Sequence, residues 1–380
     1  MAASVSQNGR FRAVFLSVIM ILMTQVGYTE NMDFSIGLDQ DTESKDTGGS
    51  TPALTPSVEG ADLMVGDLMD DITFQYGTSA ASGSGSSTCI GTACMVKDIN
   101  ASGNSFNVYP PVMVTVGNTL YFVAEDGTNG EELWKSDGTA SGTMMVKDIN
   151  VSGNGASWHN NVAVIGNTLY FTADDGTNGN ELWKTDGTAS GTVMVKDINS
   201  GSSTSLIQLL TPIGNTIYFQ ANDGVHGQEL WKSDGTTSGT VMVKDIDNGS
   251  SGSWPGDFEV IGNTLYFSAT DSLSTGLELW KSDGTASGTV LVKDINSGSF
   301  SGQVGFLTAI GNTLYFGAND GVHGTELWKS DGTTSGTVMV KDIFNGSSMG
   351  YPQELTVIGN TLYFSARNGT IDNLGNFIDD

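Results

Sequence analysis

One eight-residue stretch, ELWKSDGT, occurs five times, with Thr185 once in place of its Ser. Its Trp falls at Trp134, Trp183, Trp231, Trp280 and Trp328, at intervals of 49, 48, 49 and 48 residues. A recurrence this regular shows that the chain is a row of copies of one small unit. Fold and function must therefore be deduced from the unit and from departures from it.

Each unit predicts four short strands. In the fourth unit the runs with strand character are Phe258–Ile261, Thr264–Ala269, Glu278–Lys281 and Thr289–Ile295. Gly262-Asn263 and Asp283-Gly284 separate them, and such pairs are typical of tight hairpin turns. The second run has consecutive apolar residues, which indicates a strand buried on both faces. We therefore expect an antiparallel, four-stranded meander.

A unit of about 48 residues cannot bury both of its faces alone, but copies packed face to face can. We expect an all-β fold, a six-bladed β-propeller with the five repeated Trp side chains between blades. A linear β-solenoid is the alternative. The chain begins with a lone fourth strand, Met95–Asn100, and ends with a first and second strand within 353–366. Phe377 and Ile378 are expected in the third strand, so both chain ends would build the last blade.

The N-terminal part does not repeat. Arg10 and Arg12 precede an apolar run, 13–23, which predicts a signal peptide over 1–29; a retained membrane anchor is the alternative. A Ser/Gly/Asp-rich arm over 30–88 precedes the propeller, 89–380. Cys89 and Cys94 are expected to form a disulfide, since export permits one; free thiols or an intermolecular bridge are the alternatives.

The charge of −27 argues against nucleic-acid and anionic-membrane partners, which require clustered Lys and Arg. We expect a secreted or cell-surface protein that does not insert into a membrane after signal cleavage.

The repeat offers no asymmetric catalytic cluster. His159, His226 and His323 lie in loops of separate units, and Arg367 is the sole arginine after the signal peptide. Identical carboxylates in each unit make a poor acid and base pair, because that chemistry needs two different environments. We therefore expect that the chain is not an enzyme. The eleven repeat lysines are expected to serve architecture by pairing with Asp, as Lys147 with Asp148.

Two surface features concern modification and metals. Calcium, the one cofactor considered, has weak candidates in turn residues Asp126, Asp175, Asp223 and Asp320, for which plain turn chemistry is the alternative. Asn-x-Ser/Thr acceptors, most of them just after VKDI, predict glycosylation at Asn100, Asn150, Asn248, Asn345 and Asn368.

The units resemble the ELWxxDGT repeat of secreted or surface-attached bacterial proteins, over roughly residues 89–366. The resemblance implies an exported, propeller-like domain and supplies no catalytic residues. The absence of ELWK after Ala366 departs from the pattern.

We expect an extracellular structural or interaction protein. Its N-terminal strand either completes the last blade of its own chain or is donated to a neighbouring molecule, head to tail, which would build filaments or a surface layer. The alternative is a propeller that binds carbohydrate or a surface polymer. Trp158 and Trp254 lie outside the ELWK series and are the candidate ligand-binding residues of that alternative.

Overall fold

The computed structural model describes residues 95–106, 112–156, 161–271, 274–371 and 377–379. By internal contacts the chain divides into Met1–Thr88 and Cys89–Asp380, and every described residue belongs to the second part. The expected signal peptide and arm, Cys89, Cys94, Trp158 and His159 lie outside the described residues. Within the described ranges there is no helix, and hence none long and apolar enough to cross a membrane.

The described residues form five four-stranded antiparallel sheets, each made of strands in chain order. Sheet one contains β1 (Met113–Val116), β2 (Thr119–Glu125), β3 (Glu131–Ser136) and β4 (Met144–Lys147). Sheet two contains β5 (Val162–Ile165), β6 (Thr168–Asp174), β7 (Asn180–Thr185) and β8 (Val193–Lys196). Sheet three contains β9 (Gln208–Ile213), β10 (Thr216–Asn222), β11 (Gln228–Ser233) and β12 (Val241–Lys244). Sheet four contains β13 (Gly256–Ile261), β14 (Thr264–Asp271), β15 (Thr275–Ser282) and β16 (Val290–Lys293). Sheet five contains β17 (Gly305–Ile310), β18 (Thr313–Asn319), β19 (Thr325–Ser330) and β20 (Val338–Lys341).

Consecutive sheets pack face to face, in contacts that we call joints. Strand residues alternate between the two faces, so Leu279 of ELWK points to the following sheet while Trp280 points to the preceding one. The joint between sheets four and five consists of Tyr266, Leu279, Val292 and Ile295 against Leu314, Phe316, Ala318 and Trp328. The same eight positions form each of the three earlier joints. Central strands are thus buried on both faces, as predicted.

The first strands of neighbouring sheets also contact one another, β5 with β9, β9 with β13, and β13 with β17. Sheets that stack face to face with their first strands together make a β-propeller-like, all-β fold. The prediction of antiparallel four-stranded units is confirmed.

The two ends depart from the prediction. Met95–Asn100 is not a strand: within the described residues no ladder includes it, although it packs on sheet one through Ile99. The C-terminal β21 (Gln353–Ile358) and β22 (Thr361–Ser365) pair as expected. However, β24 (Phe377–Asp379) pairs with β23 (Arg367–Ile371) and not with β22. Residues 367–380 contain no ELWK, the segment that forms the third strand in each complete unit.

Candidate functional site

The Glu of ELWK is a buried anchor whose role the sequence did not reveal. Glu278 has no exposed surface, and its carboxylate accepts the main-chain N–H groups of Ile295 (2.9 Å) and Asn296 (3.3 Å) beyond the fourth strand. Burial raises the pKa of Glu132, Glu181 and Glu278 to about 7 and that of Glu229 to about 6. Because the carboxylate of each Glu accepts main-chain N–H groups of its own unit, it holds the third strand to the segment after the fourth strand. We call this arrangement the latch. The identical Glu in five copies was the signal for it.

The repeat lysines join each sheet to the next. Lys232 of ELWK donates to the carbonyl oxygen of Gly284 in the following unit (2.8 Å). Lys244 of VKDI donates to the carbonyl of Thr289 (2.9 Å) and lies over the ring of Trp280, 5.6 Å from its centre. The architectural role is confirmed, but the expected Asp partners are wrong. The orphan carbonyls at turns of the next unit attract the ammonium groups instead.

The DGT turn is an internal hydrogen-bond network. Asp283 Oδ1 accepts the N–H (2.8 Å) and hydroxyl (2.7 Å) of Thr285, which lowers its pKa. Gly284 has φ of +87°, and a Cβ there would collide with the hydroxyl of Tyr218 from the preceding sheet. Glycine at this turn is therefore required both by the backbone and by the joint.

The calcium candidates are turn residues whose oxygens accept protein donors. Asp126 Oδ1 accepts the N–H groups of Thr128 and Asn129 (both 2.9 Å), and the Asn129 bonds lower its pKa. Asp175, Asp223 and Asp320 make the same turns. Among the described residues no group of three or more His, Cys, Asp or Glu is arranged to hold a metal. Calcium binding stays a prediction that these bonds do not support.

Two histidines close the same turns. His226 Nδ1 lies 2.7 Å from Asp223 Oδ2, and His323 Nδ1 lies 2.8 Å from Asp320 Oδ2. These hydrogen bonds raise the pKa of each imidazole. Each His thus takes the place that Asn129 has in the first unit.

The glycosylation acceptors fall into two structural groups. Asn100 and Asn150 are only 7% and 8% exposed, and their amides donate to the carbonyls of Asn104 and Asn154. Asn248, Asn345 and Asn368 are exposed. The position directly after VKDI is therefore a loop-closing residue, whereas Asn248 and Asn345, one residue later, are accessible.

Trp254 belongs to a set of residues that repeats at the start of the first strands. We call Leu206, Trp254, Gln303 and Tyr351 the upper row; all four have positive φ, between +46° and +51°. Trp158 has the same repeat position but lies outside the described residues. A lower row follows three residues later, namely Asn161, Leu209, Asp257, Phe306 and Glu354. Its last four members also have positive φ, from +52° to +61°. The sequence pointed to Trp254 but not to the rows.

Lower-row residues bond to one another across neighbouring units. Asn161 accepts from the N–H of Leu209 through Oδ1 (3.2 Å), and Asp257 Oδ1 accepts the N–H of Phe306 (3.2 Å). Adjacent members are therefore in direct contact where the first strands converge. We call this region, with both rows, the mouth.

A cavity of about 260 Å³ opens beside the mouth at sheet five. It is lined by Asn296, Phe300, Ser301, Gln303, Asn319, Gly321, Gly324 and Ser347. Phe300 is highly exposed, and the other side chains in the lining are amides and hydroxyls. This chemistry can form hydrogen bonds with a neutral polar ligand.

The forward face of sheet five, the face toward the C-terminal unit, is only partly covered: Leu327 of β19 is buried, but the side of the face at β20 is not. Val340 is 45% exposed, while Val292 at the same repeat position in sheet four is 3% exposed. Lys329 and Lys341 are exposed, and in the described part of the chain neither bonds to a following unit. β21 lies against β17, the first strand, so it covers only one side of this face.

Comparisons with known proteins give a fold likeness only. No family model matches the chain, and no curated protein matches it. Prolyl oligopeptidase B from Galerina marginata is similar with a TM-score of 0.41, 13% identity, and coverage of 68% of this chain and 40% of that one. A puromycin-hydrolyzing peptidase of Mycobacterium tuberculosis is similar with a TM-score of 0.37 and 11% identity, and the match covers 67% of this chain and 42% of that one. A protein described as TolB from Agrobacterium tumefaciens is similar with a TM-score of 0.32 and 12% identity, and the match covers 60% of this chain and 79% of that one.

These names correct one expectation. The matched structures include a puromycin hydrolase and prolyl endopeptidases, which are enzymes, so the expectation that the chain is not an enzyme is contradicted and is withdrawn. The chain spans about two fifths of the length of those peptidases. At TM-scores near 0.4 the likeness assigns no activity, substrate or partner to this chain.

Proposed function

We propose that the chain is an exported structural or interaction protein of the cell surface that assembles with itself. Its repeat domain would be a six-bladed propeller whose last blade is completed by the N-terminal strand of a neighbouring molecule, and such contacts between molecules would build filaments or a surface layer. The observation that carries the proposal is the forward face of sheet five, where Val340 is 45% exposed. Four other copies of this face are buried in joints.

The opposite end offers a matching part. Lys97 donates to the carbonyl of Thr143 (2.8 Å) and lies 5.8 Å from the centre of the Trp134 ring. These are the contacts that a VKDI lysine of one unit makes with the following sheet. Residues 95–100 thus sit on sheet one as a fourth strand would, yet within the described residues they belong to no sheet.

Within the described residues, sheet five is therefore followed only by the two-stranded sheet of β21 and β22, and the segment 95–100 is preceded by no sheet. Joining unlike ends of two molecules is a heterologous contact, which builds open filaments unless rotation closes it. Addition of a strand to a sheet edge is a common way to make such a contact. Closure of both ends within one chain is the rival arrangement.

The test places a charge on the forward face. Val340→Asp should abolish self-association without lowering the melting temperature of the monomer, since the residue is half exposed there. Val338→Asp is the matched control, because Val338 is about as exposed as its equivalents Val193, Val241 and Val290 inside the array. Sedimentation velocity over a wide concentration range and electron microscopy give the readouts.

The average molecular mass of wild-type protein should rise with protein concentration, and the Val338→Asp variant should show the same rise. A wild-type monomer at all concentrations would overturn the proposal. So would a Val340→Asp monomer with a strongly lowered melting temperature, since this result would show that the chain covers the face itself.

A further inference from the structure

The upper row differs between units while the framework stays the same. ELWK and DGT are repeated in all five complete units, yet the upper-row position is Leu206, Trp254, Gln303 or Tyr351. In a repeat protein, framework positions keep the fold and the exposed variable positions of one face meet the ligand. The mouth is the variable face of this chain.

The backbone holds these variable side chains in a fixed, uncommon conformation. A left-handed backbone costs a bulky L-residue about 1–2 kcal/mol, and here it recurs with Leu, Trp, Gln and Tyr alike. The framework therefore imposes the conformation, and the lower-row residues lie at bulges of the first strands. Bulges commonly redirect side chains beside functional sites. Trp254, in the upper row, is 56% exposed.

The aromatic rings of the mouth are held rigidly. Trp254 Nε1 donates to the carbonyl of Ser251 (3.1 Å), which fixes the plane of the indole. The guanidinium of Arg367 lies 5.6 Å from the centre of the Tyr351 ring. Gln303 and the cavity lie in the unit between these two rings. A flat platform is thus present on either side of an amide-lined cavity.

The chemistry of the mouth selects among ligands. Neither row, and no residue lining the cavity, is Lys, Arg or His, while Asp257 and Glu354 add to a chain charge of −27. Anionic polymers are therefore disfavoured. A purely apolar ligand would cover the amides and hydroxyls of the cavity without forming hydrogen bonds to them. Leaving these groups unpaired would cost binding free energy. A ligand with flat apolar faces and many hydroxyls satisfies both kinds of surface.

We propose that the mouth between Trp254 and Tyr351 binds a neutral polysaccharide. One sugar occupies the cavity beside Gln303 and Phe300, whose volume of about 260 Å³ is near the lower end for ligand pockets, roughly 300 Å³. Neighbouring sugars stack on Trp254 and Tyr351. Platforms at the same repeat position of two units suit a polymer that also repeats, since several weak contacts then add.

The test uses affinity gel electrophoresis and calorimetry with soluble β-glucan, xylan and chitin hexasaccharide, and with alginate as the anionic probe. At least one neutral probe should bind, and alginate should not. Trp254→Ala and Phe300→Ala should each weaken binding about tenfold, while Leu206→Trp, which adds a platform at the same repeat position, should strengthen it several-fold. Val225→Ala is the control, an exposed apolar change outside both rows.

Melting temperatures verify that each variant is folded. The proposal is overturned if no neutral probe binds, if alginate binds equally well, or if the Trp254 and Phe300 variants bind like wild type. Selection of apolar peptides from a display library, with no polysaccharide bound, would replace it with a protein partner. Val340→Asp should leave this binding unchanged, so the outcome is separate from that of self-assembly.

Discussion

A pair of valine truncations tests how the array is built. Val292 and Val340 occupy the same position in VLVK and VMVK, on the forward faces of sheets four and five. Val292 is packed in a joint with Phe316 and Trp328, whereas Val340 is largely uncovered. Local sequence, strand length and pairing are alike, so the difference between the two variants isolates the contribution of the joint.

The magnitude follows from the groups removed. Val→Ala deletes two methyl groups' worth of apolar surface, about 1.6 kcal/mol at roughly 0.8 kcal/mol per CH₂. In a joint the cavity left behind adds to this, so Val292→Ala should cost about 2–3 kcal/mol. Val340→Ala should cost about 0.5 kcal/mol or less, as for surface changes.

Guanidinium unfolding at low protein concentration measures both. Repeat arrays need not unfold in two states, so hydrogen exchange in β16 and β18 should accompany the midpoints. Val292→Ala should speed exchange in both strands, and Val340→Ala in neither. If the two truncations cost the same, the forward face of sheet five is covered, and the open-end reasoning is wrong.

Three further results are expected. Folded stability should fall as pH rises from about 4.5 to 7, because burial raises the pKa of the latch carboxyls, to about 7 for Glu278, against 4.5 when unfolded; Glu278→Gln should flatten the slope measured by thermal unfolding. Lys293→Met removes the bond to the Thr337 carbonyl and should cost about 1–3 kcal/mol by chemical denaturation, whereas Lys341→Met should be neutral. Glycopeptide mass spectrometry of native material should find any glycan on Asn345 and not on Asn100.

The sign of the pH effect depends on which carboxyls titrate. A raised pKa means that the folded state binds protons more tightly, so its contribution is lost as pH rises. The DGT aspartates have lowered pKa values and act in the opposite direction, but only below about pH 4. Stability should therefore be greatest near pH 4.5–5.

The sequence predicted the unit well because its strands carry their own signals. Thr264–Ala269 was expected and Thr264–Asp271 is observed. The fourth strand was expected to reach Ile295 but ends at Lys293, because Ile295 donates its N–H to Glu278 and not to the ladder. The acceptor, the buried carboxylate of Glu278, lies 17 residues earlier in the chain, so no local sequence pattern predicts this bond.

The sequence predicted that the repeated residues join the units, but it did not predict the partner atoms of those contacts. Uniform lysines indicated architecture, but whether Lys232 meets an Asp or a carbonyl depends on how sheets are offset. The mouth rows were missed for a similar reason. Positive φ is foreseen from Gly or Asn, whereas Leu206, Phe306 and Tyr351 give no such signal. At Phe306 the positive φ accompanies a register bulge, which becomes visible only when β17 and β18 are paired.

The two proposals concern different parts of one design. Framework positions are identical because each joint has to fit two neighbours, so any change in Leu279 or Trp280 would be felt in two sheets. Upper-row residues take no part in the joints and their side chains, such as that of Trp254, are exposed, so these positions can vary without cost to the joints. Specificity therefore has room to vary at Trp254 and Tyr351, whereas assembly depends on the one framework face that is left open. Substitutions at the mouth should change binding without changing assembly, and Val340→Asp should do the reverse.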